Sequence, residues 1–154
     1  MLETPHVAVG IALAAKFPNP LISIPLSFAS HFVLDKIPHW NPHLYTETQK
    51  FGQPSKKSTA LAIVDISASL IIGLGFAYRA LPNINTAILI LACSLASVAP
   101  DVIKYPYYYF HWRQKLLVKW VKFERKIQVN AKGPLWGMLT QILVTAASLY
   151  TLRF

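Results

Sequence analysis

Five apolar stretches constrain this chain more than any other feature. They run at roughly 5–17, 20–35, 58–81, 84–103 and 134–152, with polar, basic connectors between them. The last three hold about 19–24 residues each, enough for a helix to cross a hydrocarbon core of about 30 Å. The first two are shorter and are divided by Phe17-Pro18-Asn19-Pro20. They form two tilted short spans or a re-entrant hairpin, and in both cases their outer ends return to the same side. Apolar residues make up 54 % of the chain and charged residues 14 %, against about 25 % charged in a soluble domain. The pattern predicts an all-α fold: a single membrane domain over 1–154, a bundle of about four to five helices. The start carries Glu3 and neither Lys nor Arg, which argues against a cleaved signal peptide. The lone Cys93 lies mid-stretch and reads as a small packing residue.

The net charge of +9 is placed asymmetrically. Twelve of the fifteen basic residues fall in the connectors after the second and fourth stretches, and only Lys16, Arg79 and Arg153 fall at the opposite ends. The positive-inside bias makes the basic side cytoplasmic, with the amino terminus inside and the carboxyl terminus outside. Residues 105–112 (YPYYYFHW) have the aromatic density of a headgroup-level anchor. Beyond them Trp112, Leu116, Trp120, Phe123 and Ile127 recur at helical spacing among lysines and arginines. This predicts an amphipathic helix over about 111–129 on an anionic membrane surface, or docked on the protein's own cytoplasmic face. Membrane lipids are thus the expected partners. No nucleic acid is expected, because no recognition motif accompanies the charge.

Three of the six acids, Asp35, Asp65 and Asp101, lie in or at the ends of apolar stretches. A carboxylate within a span costs about 2.5–3.5 kcal/mol on insertion scales, so it normally faces a protein interior and a partner. The alternating topology puts His6, His31, Asp35, Asp65 and Asp101 near the inner ends of their helices. His31 and Asp35 are four residues apart and share one helical face. His39 and His111 follow in the inner connectors, and His43 sits in a proline-rich loop. The expected metal ligands are His6, His31, Asp35, Asp65 and Asp101, with His39 or His111 assisting as acid or base. Mixed imidazole and carboxylate ligands suit a divalent transition metal, zinc first, with manganese or iron as alternatives. Two such ions sharing bridging carboxylates would polarise a phosphoryl oxygen and generate hydroxide at neutral pH. The basic rim would attract an anionic or phosphorylated substrate. Taken singly, each buried His or Asp also reads as an ordinary hydrogen-bonded core group.

Ser30-His31-Phe32-Val33-Leu34-Asp35, continuing through Lys36, Ile37 and Pro38 to His39, resembles the SHxxxD signature of predicted membrane-bound metal-dependent hydrolases. This is the inner-membrane family described as LexA-binding hydrolase-like, distantly similar to the all-helical zinc phospholipase C and nuclease group. Thr4-Pro5-His6 with Gly10 resembles the family's amino-terminal His motif, and Ala99-Pro100-Asp101 the start of its PDxDH motif. The resemblance implies that His6, His31, Asp35 and Asp101 are metal ligands, that Asp65 is a further acid, and that the protein resides in the inner (cytoplasmic) membrane. The chain departs from the family where Val102, Ile103 and Lys104 follow Asp101, and no HRGxTH motif is present. The leading expectation is a membrane-embedded metal-dependent hydrolase acting on a phosphoester or lipid-linked substrate. The alternatives are a non-enzymatic, partner-binding membrane protein and an ion or proton transporter. The few polar residues in the outer halves of the third and fourth stretches weigh against a transport path.

Overall fold

The computed structural model describes residues 1–150 and Leu152, and among these the chain is all-helical. The order is α1 (Glu3–Lys16), α2 (Pro20–Leu34), α3 (Leu44–Phe51), α4 (Lys56–Arg79), α5 (Ile84–Val102), α6 (Tyr105–Tyr109), α7 (Lys115–Ile127) and α8 (Pro134–Tyr150). Local chemistry explains several boundaries. Asn19 accepts from the Leu21 N–H at 2.9 Å, and Pro20 opens α2. Ser55 accepts from the Ser58 N–H at 3.2 Å to start α4, and Asn83 from the Thr86 N–H at 3.1 Å to start α5. These are side-chain caps on donors that a helix start leaves unpaired.

α1 is the central element and packs on α5, α4, α8 and α2. Its residues Val7, Ile11 and Ala14 bury against Ala77 of α4 and Ile90 and Cys93 of α5. The first two stretches form a helical hairpin whose arms, at 14 and 15 residues, are about 21–23 Å long, shorter than a hydrocarbon core. Two helical runs, Lys56–Arg79 and Ile84–Tyr109, are long and apolar enough to cross a membrane by length and composition. α8 is described over 17 residues, Pro134–Tyr150, of the expected 134–152. Position 151 of that stretch and Arg153 lie outside the described residues. Large apolar side chains nevertheless point outward all round, among them Leu21, Ile71, Leu95, Leu135 and Ile142, and only 22 % of the most apolar window of α4 is buried.

Two expectations need correction. The connector after α2 contains a helix, α3, whose amphipathic eight residues are too polar to register as an apolar stretch. The amphipathic helix is shorter than 111–129. His111 adopts a left-handed φ of 56°, the Trp112 N–H returns to the Pro106 carbonyl at 3.1 Å, and helix resumes only at Lys115. α7 docks through Val121, Glu124 and half-buried Trp120, whose indole N–H reaches the Pro100 carbonyl at 3.2 Å. Leu116 and Phe123 of the same stripe stay exposed between the lysines.

Candidate metal centre

The costly polar groups of three helices and one loop meet at the end of the bundle where α1 begins and α2 and α5 finish. His6 and His31 are fully buried and their rings stack, with centroids 4.1 Å apart. Asp35 lies against both: its Oδ1 is 3.5 Å from His6 Nε2 and its Oδ2 is 3.5 Å from His31 Nε2. Asp101 brings Oδ1 to 3.9 Å from His31 Nε2, and His39 Nε2 is 3.8 Å from Asp35 Oδ1. One ligand atom each from His6, His31 and Asp101 lies within 4.8 Å of the other two.

The proton inventory is the informative part. His31 Nδ1 stands 2.9 Å from the Ser97 carbonyl, which can only accept, so Nδ1 carries the proton. In the neutral ring Nε2 then presents a lone pair to the two carboxylates, and it has no hydrogen-bond partner. Both ring nitrogens of His6 are likewise buried without a partner. Buried polar atoms are almost always paired, so the His31 Nε2 lone pair facing two carboxylates at 3.5 and 3.9 Å asks for a cation between them. The α-ammonium of Met1 does contact Asp35 Oδ1, which shows that this pocket can hold a positive charge. Ligands on one zinc ion lie at most about 4.4 Å apart, twice a bond of about 2.2 Å. The contacts of 3.5 and 3.9 Å fall within that span, while the His6–His31–Asp101 set is bounded at 4.8 Å, slightly beyond it. A backbone carbonyl behind a ligating imidazole, as Ser97 provides for His31, is the usual outer-shell arrangement of a metal site.

His39 takes a different position. Its Nδ1 donates to the Ile37 carbonyl at 2.7 Å and its Nε2 accepts from the Asn41 amide at 3.1 Å. Burial and the nearby Met1 charge lower its pKa to about 4, so the ring is neutral near pH 7. It lines a cavity of about 230 Å³ that also touches Asp101, Glu3, Tyr45, Tyr105 and Arg125.

Two of the expected site residues are engaged differently: Asp65 lines the same cavity but not the metal cluster, and His111 lies elsewhere. Asp65 spends both oxygens on the start of α1, accepting from the Glu3 N–H at 2.5 Å and the Thr4 N–H at 3.2 Å, and from the Thr4 hydroxyl at 2.7 Å. A carboxylate there satisfies the orphan donors of a helix start and complements its dipole. We therefore expect Asp65→Ala to cost about 0.5–2 kcal/mol, the range for a lost helix cap, and to leave metal content unchanged. Thermal unfolding and elemental analysis of the same preparation check both halves. His111 is exposed and borders a separate depression with Lys56 and Tyr109, so it does not reach the cavity.

Other site residues escaped the sequence reading. Gln128, just after α7, donates to Asp35 Oδ2 at 3.1 Å, and the Val129 N–H reaches the Asp35 carbonyl at 3.0 Å. Gln141 of α8, nearly fully buried, accepts from the Leu2 N–H at 2.7 Å and donates to the Trp40 carbonyl at 2.9 Å, tying the start of the chain to the His39 loop. Glu3 is buried and accepts from the Tyr105 hydroxyl at 2.8 Å. Lys104 is buried against Asp101 and Glu124. Compared with family models, curated proteins and solved structures, the chain matches none.

Proposed function

We propose that this chain is an integral membrane protein holding a divalent transition metal on His6, His31, Asp35 and Asp101, and that it hydrolyses a phosphoester or lipid-linked substrate at the cytoplasmic interface. One observation carries the reading: the unpartnered imidazole nitrogens of His6 and His31 face two carboxylates, all from three helices, across 3.5–3.9 Å. The donor set suits zinc, manganese or iron better than calcium or magnesium. A bound ion of this kind supplies Lewis acidity towards a phosphoryl oxygen and acidifies water.

The chain's own groups supply the rest. Gln128 orients Asp35, and Ser97 fixes the tautomer of His31. Neutral His39 lines the cavity with Nε2 available to accept a proton once Asn41 yields. Arg125 at the cavity wall offers a positive charge to an anionic group. Outward-facing leucines and isoleucines along α2, α4, α5 and α8 support residence in a bilayer, and the lysine-rich α7 with exposed Leu116 and Phe123 suits an anionic surface. The same centre offers a second reading. If no metal binds, the Met1 ammonium serves as the counter-charge of Asp35, and the cluster is an element of structure.

A single preparation tests both parts. The protein is expected to sediment with membranes, to need detergent for release, and to carry about one transition-metal ion per chain by elemental analysis. Recovery in the soluble fraction would remove the bilayer assignment. A metal-free preparation that takes up no zinc or manganese would remove the hydrolase reading and leave the Met1 pairing.

A further inference from the structure

We propose that Lys104 is a built-in second cation of this centre, so that the pocket accepts one metal ion where its carboxylates would otherwise hold two. The inference rests on the metal reading above and concerns stoichiometry. Asp101 is placed as a bridging ligand would be: its Oδ1 faces His31 Nε2 on one side and Lys104 Nζ on the other. The same ammonium contacts Glu124 Oε2, so it links two carboxylates from different helices, as a second metal ion would.

Lys104 is not a surface side chain that happens to reach inward. It is buried, at 6 % exposure, in the turn between α5 and α6, and its backbone N–H is tied to the Asp101 carbonyl at 2.9 Å. Glu124 is at 1 % exposure on a helix otherwise dominated by exposed lysines, and its buried oxygens have no hydrogen-bonding partner apart from this ion contact. Burying a lone ammonium or a lone carboxylate costs several kcal/mol, so the pair persists only because each neutralises the other. Asp35, Asp101 and Glu124 bring three negative charges to the centre; Lys104 offsets one of them and the Met1 ammonium, against Asp35, a second. The remaining nearby acids are engaged elsewhere, Glu3 with Tyr105 and Asp65 with the start of α1.

Lys104→Ala removes the ammonium and leaves Asp101 and Glu124 facing each other. Lys104→Gln removes the charge but keeps a donor for them, and serves if the alanine variant does not fold. Detergent-purified full-length protein is loaded with Mn²⁺, freed of excess ion, and read by elemental analysis and electron paramagnetic resonance. The wild type is expected to hold one ion with the spectrum of isolated Mn²⁺. The folded variant is expected to hold two, with an exchange-coupled signal, and a further Glu124→Ala change should return it to one. Two coupled ions in the wild type, or a single ion in the folded variant, would overturn the role of Lys104 and leave the metal centre standing. No ion in the wild type would overturn both.

Discussion

Asp35→Ala is expected to cost the chain at least 100-fold in metal affinity, the largest effect of any single substitution at the centre. Asp35 lies within 3.5–3.8 Å of His6, His31 and His39, and among the described residues it is the group that faces all three imidazoles. Loss of an outer-shell partner typically costs 10–100-fold in affinity, and loss of a ligand costs more. Gln128→Ala supplies the internal scale: Gln128 only orients Asp35 Oδ2, so its removal should fall within that 10–100-fold range. Competition against a chromophoric chelator measures both. Thermal unfolding gives an independent readout, because an ion that binds only the folded state stabilises it by about 2.7 kcal/mol at 100 times its dissociation constant. The wild type should gain that increment on adding metal, and Asp35→Ala should gain at most about 0.4 kcal/mol at the same metal concentration. Full metal content in Asp35→Ala would end the assignment.

The residues that converge are those whose depth the topology could place. Helices that alternate direction put the start of α1 and the ends of α2 and α5 at one end of a bundle, so His6, His31, Asp35 and Asp101 share a layer. The four-residue spacing then orients His31 and Asp35 together. Depth does not specify a partner, however. Asp65 lies in the same layer, yet it turns towards the exposed N–H groups of α1, and an acid inside a helix looks the same in sequence whether it meets a cation or a helix start. Lys104 and Glu124 were hidden for the opposite reason: in a connector full of lysines, nothing in composition separates the one buried pair from its solvated neighbours. Gln128 and Gln141 act through long-range contacts that no local pattern encodes.

The positioning of the centre depends on how closely α1 approaches α5, and Gly10 sets that approach. A Cβ at Gly10 would stand 2.7 Å from the Cys93 carbonyl oxygen, closer than real contacts allow, and a tight 3.0 Å from Ser97 Oγ, and the first obstacle is backbone. Gly10→Ala must therefore push the two helices apart. Such overpacking costs about 1–3 kcal/mol, against a gain of at most about 1 kcal/mol from helix propensity. The displaced turn of α5 carries the Ser97 carbonyl that orients His31, and Asp101 follows one turn later. Stability and metal affinity should therefore fall together in Gly10→Ala, the affinity by about 10–100-fold, as for other disturbed outer shells. Gly73→Ala is the matched control. Its Cβ would meet Val7 Cγ1 at 3.6 Å and Ser94 Oγ at 3.7 Å, ordinary contact distances, so this variant should equal or exceed the wild type in stability and keep its metal. If Gly10→Ala proved as stable and as metal-avid as Gly73→Ala, the close α1–α5 contact would not be what holds His6 against Asp35 and Asp101.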